Sequence, residues 1–153
     1  MDLKKRLQQG ETLVGTLLSL PSPEIAELMS MVRFDWLFID LEHGPHGFME
    51  LQHMLQAIKP GCSPLVRVPE VSESNIKKVL DIGAEGIIVP KVNSAEEAER
   101  IVSYAKYPTQ GVRGMGAARA HGYGLNFQDY IEKANEQTLV VIQIEHFEGV
   151  NNI

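Results

Sequence analysis

Residues 38–47 read FIDLEHGPHG, and this stretch decides the fold. Phe38 and Ile39 belong to an apolar run, WLFI, that starts at Trp36 and predicts a strand. The strand ends in Asp40, Glu42 and His43, and Gly44-Pro45 breaks the backbone before His46. A strand that is apolar on both faces and polar only at its C-terminal tip belongs to a parallel sheet covered by helices. In a closed sheet of this kind the chemistry collects at the carboxyl ends of the strands.

The same pattern extends in both directions. TLVGTLLSL (12–20) predicts a strand, and Ser22-Pro23-Glu24 supplies an N-cap, a first-turn proline and an acid for the positive end of the helix dipole. Ile25, Leu28, Met29 and Val32 then fall at helical spacing. Past the tip, Phe48, Leu51, Leu55 and Ile58 form a helical stripe that Pro60-Gly61 stops. SPLVRV (63–68) and GIIVPKV (86–92) are the next strands. Ser72 opens the helix after the first, and a Ser94–Glu97 capping box opens the helix after the second. A polar, glycine-rich stretch (106–124), a helix near 127–136 and a fifth strand, TLVVIQIE (138–145), complete the chain.

Alternating strands and helices suit either a doubly wound sheet or a (β/α)₈ barrel. The turn after the first strand, SLPSPE, lacks the glycine-rich phosphate fingerprint of a dinucleotide-binding domain. The other strand tips carry Arg67, Lys91, Gln143 and Glu145, groups that a barrel would bring to one mouth. The expected fold is therefore a (β/α)₈ TIM barrel. Residues 1–153 are expected to supply its first five strands, as the N-terminal part of a single domain of roughly 250 residues.

The 153 residues carry a net charge of −6 and a pI near 5.3. Neither a nucleic-acid nor an anionic-membrane partner is expected, since both select basic faces. No apolar run approaches the ~20 residues of a membrane span, and the charged start MDLKKRLQQGET has no signal-peptide core. The lone Cys62 predicts a buried, inert thiol in a reducing compartment. A cytoplasmic globular protein is the expectation.

Each tip residue has a chemical reading and a plain one. Gln143 and Glu145 are two apart on a predicted strand and would share a face. Glu145 is thus either an oxygen ligand for Mg²⁺ or Mn²⁺, or a helix cap or ion-pair partner. Arg67, closing PLVRVP, either grips a carboxylate or oxyanion bidentately or forms a salt bridge with Asp40 or Glu42. His43 is an acid–base group oriented by Asp40 or Glu42, or a surface imidazole. His46, beyond the Gly-Pro break, reads as a surface group. Lys91 is either a Schiff-base lysine or an ion-paired one. Arg113, Arg119 and His121 sit in GVRGMGAARAHGYG, whose glycines allow either close approach to an anion or a mobile linker.

FDWLFIDLEHGP, PLVRVP, VLDIGAEGIIVPKVNSAEEAE, YPTQGVRGMG and VVIQIEHFEGVNNI together, in this order and spacing, resemble the HpcH/HpaI aldolases. The likeness runs from about residue 10 to the end. The resemblance implies a (β/α)₈ barrel, a homohexamer, and divalent-metal-dependent cleavage of 4-hydroxy-2-oxo acids, of the 2-keto-3-deoxy sugar acid or 2,4-dihydroxyhept-2-enedioate type, to pyruvate and an aldehyde. It implies Glu145 as a ligand of Mg²⁺, Mn²⁺ or Co²⁺, His43 as the catalytic histidine with Asp40 as its acidic partner, and Arg67 on the pyruvyl oxygen. Gln143 would stand beside the metal, and Asp81 would approach a neighbouring subunit's site. The second metal carboxylate of the family, in a GPxDLS-like segment, has no counterpart in these residues. Rival readings are a citrate-lyase-β-like lyase, a Schiff-base aldolase using Lys91, and an inactive association module.

Overall fold

The computed structural model describes residues 3–153. Five parallel strands form one sheet in the spatial order in which they occur in sequence: β1 (Gly15–Leu18), β2 (Trp36–Asp40), β3 (Ser63–Arg67), β4 (Gly86–Val89) and β5 (Leu139–Ile142). A doubly wound sheet would reverse direction at a switch point, whereas an unbroken 1-2-3-4-5 order is the arc of a TIM barrel.

Helices α2 (Pro23–Met31), α3 (Phe48–Ala57), α4 (Glu73–Asp81) and α5 (Ala95–Ala105) cover the outer face of this arc. Caps fix where three of them begin. The hydroxyls of Ser22, Ser72 and Ser94 accept the N–H of Ile25, Asn75 and Glu97 at 3.1, 3.1 and 3.2 Å, satisfying donors that no helical carbonyl can reach. Glu97 returns the favour one residue earlier than the capping box predicts, accepting from the Asn93 N–H at 2.8 Å.

Alternation along each strand divides the apolar residues between two cores. Leu37, Ile39, Val66, Ile87 and Val89 point outward and are buried under the helices with Leu51, Met54, Val79, Leu80 and Ile101. Phe38, Leu65, Leu139 and the backbone of Gly86 share one inward layer, and Asp40, Arg67, Ile88 and Val141 share the next. Gly15 faces the Trp36 ring so closely that a Cβ there would collide with it.

One helix goes beyond the sequence reading, and two expectations are corrected. Leu3–Gln8 forms α1, whose Leu3 packs on Leu65 and Ile88 of the inner face; residues 1 and 2 of that start lie outside the described residues. β5 stops at Ile142, so Gln143 and Glu145 are not strand residues. The stretch from 106 to 124 is neither an anion cradle nor a mobile linker. Arg119 donates to the carbonyls of Ile82 and Leu55 at 2.9 and 3.3 Å, His121 is buried in a 3₁₀ turn (Arg119–Gly124), and Arg113 is fully buried. The helix near 127–136 is α6 (Phe127–Gln137), and α7 (Phe147–Asn151) follows β5. Cys62 is buried as expected, and burial pushes its thiol up to about 11. Among the described residues no helix is long and apolar enough to cross a membrane.

Candidate active site

The register that pairs Asp40 with Arg67 builds the centre of the site. Both face the inner side at the C-terminal tips of adjacent strands, and the guanidinium takes the carboxylate with both hands. Nε donates to Oδ1 at 2.9 Å and Nη2 to Oδ2 at 2.6 Å, the bidentate geometry that makes an arginine pair strong and directional. Arg67 also lies over the Phe38 ring, 5.1 Å from its centre.

Asp40 is buried. Burial alone would oppose its ionisation, but the Arg67 hydrogen bonds and the N–H groups of His43 and Glu42 together outweigh it and hold the carboxyl below its ordinary range. Those N–H groups reach Oδ1 at 3.2 and 3.0 Å. Asp40 thus organises the loop after β2 as well as Arg67. The hydrogen bond to Asp40 in turn raises the already high pKa of Arg67.

The third guanidinium nitrogen, Nη1, is the loosely committed one. It lies 3.4 Å from Gln143 Oε1 and 3.4 Å from Glu42 Oε2. Gln143, although past the end of β5, keeps the inward direction because its N–H donates to Val89 O at 2.8 Å and its carbonyl accepts from Val92 at 3.1 Å. Glu42 is nearly buried and gathers three groups: Arg67, the Lys91 ammonium at 3.3 Å from Oε1, and the His43 ring, whose Nε2 is 3.8 Å from Oε2. Glu145 sits in the turn before α7, its Oε2 accepting the Lys91 N–H at 3.2 Å.

The geometry therefore brings Asp40, Arg67, Gln143, Glu42, His43, Lys91 and Glu145 to one end of the sheet, with one change of partner and one change of exposure nearby. The expectation that Asp40 orients the His43 ring is corrected: Asp40 binds the His43 backbone, and the nearer carboxylate to the imidazole is Glu42, which composition and spacing left as one of two options. His46 is not a surface group. Its ring folds over Gly44, both nitrogens are buried without a hydrogen-bond partner, and burial lowers its pKa against the pull of Asp40 and Glu50. No sequence pattern distinguishes a histidine that folds back over a glycine from one that points to solvent.

Asp81 does not join this group. It ends α4, five residues before β4 begins, so it lies at the N-terminal end of the strands, away from the tips. There it accepts from Arg113 Nη2 at 2.8 Å. Arg113 stacks on Tyr107, 4.5 Å from the ring centre. A crevice of about 400 Å³ between Glu85, Tyr130 and Thr138 is also at that end and holds none of the tip residues. The hollow on the inner face is smaller, about 310 Å³, walled by Phe38, Leu65, Ile88 and Val141 and touching Gln143.

As for a metal, Glu145 offers one hard carboxylate, whose Oε2 accepts the Lys91 N–H, and Gln143 offers an amide oxygen that faces Arg67 Nη1. That donor chemistry fits Mg²⁺ or Mn²⁺, which bind few protein carboxylates and complete their shell with water and substrate oxygens. Among the described residues no group of three or more His, Cys, Asp or Glu side chains is arranged to hold a metal ion.

Known proteins resemble this chain along most of its length. The model of the HpcH/HpaI aldolase/citrate lyase family matches residues 14–153. A 4-hydroxy-2-oxovalerate aldolase of Novosphingobium aromaticivorans is 41% identical over 152 residues, covering 98% of this chain and 58% of the relative. A 2-keto-3-deoxy-L-rhamnonate aldolase of Klebsiella pneumoniae is 42% identical over 153 residues, covering 98% and 57%. The chain thus spans under three fifths of the length of these curated relatives. Among solved structures, a family protein from Burkholderia cenocepacia superposes with a TM-score of 0.93 at 34% identity, covering 98% of this chain and 62% of that one. An HpcH/HpaI aldolase from Desulfitobacterium hafniense gives 0.89 at 36%, covering 99% and 60%. With a family match over residues 14–153 and relatives 41% and 42% identical along 98% of its length, the chain belongs to the HpcH/HpaI aldolase/citrate lyase family.

Proposed function

We propose that the whole protein is a divalent-metal-dependent aldolase that cleaves a 4-hydroxy-2-oxo acid to pyruvate and an aldehyde. Residues 1–153 are the N-terminal part of its single barrel domain. The observation that carries this reading is the Asp40–Arg67 clamp at the strand tips, with Gln143, Glu42 and His43 converging on it. The names of the relatives support the substrate class.

Arg67, fixed by Asp40, presents Nη1 to the 2-oxo oxygen, where negative charge develops as the C3–C4 bond breaks. The bonding pair passes to C3 and the pyruvyl unit. The C4 hydroxyl gives its proton to an imidazole nitrogen of His43, and the C4 fragment leaves as the aldehyde. Protonation at C3 then completes pyruvate. Glu42 is the carboxylate that faces the His43 ring and balances the positive charge it acquires. A divalent cation held by Glu145, with Gln143 beside it, would supply Lewis-acid polarisation of the oxo group.

The solvated, Glu42-paired ammonium of Lys91 (side chain 72% exposed) lacks the apolar burial that makes a Schiff-base lysine reactive. We further propose a cytoplasmic homo-oligomer, a hexamer as the resemblance implies. In it Asp81, a quarter exposed beside Arg113, is free to meet a neighbouring subunit. The test is pyruvate release from a 4-hydroxy-2-oxo acid by the whole protein: EDTA should abolish it and Mn²⁺ restore it. No release with Mn²⁺ present, or borohydride trapping of pyruvate on Lys91, would overturn the reading.

A further inference from the structure

The loop that carries His43 is wound around Asp40. After β2, Asp40 Oδ1 accepts the N–H of Glu42 at 3.0 Å and that of His43 at 3.2 Å, which fixes the first half of the loop. The His43 side chain is 71% exposed, and its Nε2 stands 3.8 Å from Glu42 Oε2, beyond hydrogen-bond reach. The imidazole is thus placed mainly by its backbone.

The second half of the loop is held from the other side by His46. A Cβ built on Gly44 would collide with the carbonyl oxygen of Asp40 and with Cε1 and Nδ1 of the His46 ring, so the Gly44 backbone is clasped between the two. Glu50, in the first turn of α3, then takes the Gly47 N–H at 3.1 Å and ends the loop. His46 holds this place against a penalty. Both its ring nitrogens are buried without a hydrogen-bond partner among the described residues, and a buried polar group left unpaired destabilises the fold.

The charged groups that face the ring are Asp40 at the tip of β2, already matched to Arg67, and Glu50 on α3, which also faces His53. Neither carboxylate hydrogen-bonds the ring. Burial outweighs their pull and lowers the pKa of His46, so the ring lies over Gly44 as neutral imidazole. A proton added there would be a buried charge with no acceptor, relieved only by an outward swing of the ring.

We propose that His46, as the neutral imidazole, is a positioning residue: its ring wedges Gly44 against Asp40 and so holds the His43 backbone, and with it the His43 imidazole, beside Glu42. This rests on the aldolase reading above, in which His43 takes the C4 hydroxyl proton.

The test compares the unaltered whole protein with His46→Ala and His46→Leu, all with Mn²⁺. Leucine keeps the branch at Cγ and an apolar filling over Gly44, but has no nitrogen to protonate. His46→Ala should lower kcat for pyruvate release roughly 10–100-fold, the order that a misplacement of about 1 Å costs, with a smaller change in KM. His46→Leu should restore most of the loss. The kcat of the unaltered protein divided by that of His46→Leu cancels the titration of His43. This ratio should fall as pH drops from about 7.5 to about 5.5, across the ordinary histidine range. Hydrogen exchange of the Glu42 and His43 amides reads the wedge without the reaction: it should quicken in His46→Ala and stay slow in His46→Leu. Unchanged kcat or exchange in His46→Ala, no rescue by His46→Leu, or a ratio that does not fall with pH each overturns the inference and leaves the aldolase reading standing. No pyruvate release by the unaltered protein sinks that reading, while the exchange rates still decide whether His46 holds the loop.

Discussion

Asp40 shows how one residue's partners decide another's role. Because both its oxygens are occupied by Arg67 and by backbone N–H groups, it fixes position, and under the proposed reaction proton transfer falls to His43. Arg67→Lys would keep the charge and lose the fork. Under the proposed reaction it should cost about 2–4 kcal/mol in kcat/KM, and a thermal midpoint that falls while kcat/KM per folded enzyme holds would mark Arg67 as structural only. His43→Ala should lower kcat about 10²–10⁴-fold with a smaller effect on KM, as expected for a positioned acid–base group; an unchanged kcat would return it to the role of a surface imidazole. The location of these residues is legible in the sequence, since a lone arginine closing PLVRVP and a DLEH tip both demand a partner. The partnership itself is not. It depends on the Asp40–Arg67 register, a relation between strands that spacing along one strand does not contain, and so the choice between Asp40 and Glu42 for the His43 ring stays open until the strands are paired.

At the scale of elements, strands and caps are legible because each leaves a local mark: an apolar run for β2 to β4, a serine three residues before the N–H it accepts for α2, α4 and α5. What escapes is whatever depends on distant partners. TLVVIQIE has the composition of a strand to its end, yet ladder pairing with β4 stops at Ile142. α1 is too short to announce itself, and its place is set by Leu3 finding Leu65 and Ile88. Arg113 is the clearest case. Glycines surround it and suggest an anion loop, but the side chain is wholly buried between Tyr107, Tyr130 and Asp81. A buried guanidinium is tolerable only with its counter-charge. Asp81→Ala should therefore destabilise the protein by about 3–5 kcal/mol, and Arg113→Met, which removes the charge, by less. Urea unfolding of the two variants measures the difference; equal losses would mean that the ion pair matters only as packing.

Taken together, the described residues form an arc, with β1 and β5 at its two edges. Beside β1, Val14, Leu17, Leu20, Leu28 and Met31 are each more than half exposed, and beyond β5 so are Phe147, Val150 and Ile153. Between the edges, the hollow walled by Trp36, Phe38, Leu65, Ile88, Leu139 and Val141 is closed on one side only, in part by α1. Unpaired strand edges and apolar surface on this scale drive association in water. Under the proposed reading the remaining strands of the barrel cover them and bring the second metal carboxylate. A polypeptide of these 153 residues alone should accordingly associate or aggregate, show no measurable pyruvate release, and bind Mn²⁺ much more weakly than the whole protein, because a single carboxylate with water holds a divalent ion loosely. Light scattering, a pyruvate assay and Mn²⁺ titration of the purified polypeptide check the three parts separately. A monodisperse monomer with robust turnover would show that the arc needs neither the cover nor the second carboxylate, and would move the metal chemistry onto Glu145 and its neighbours alone.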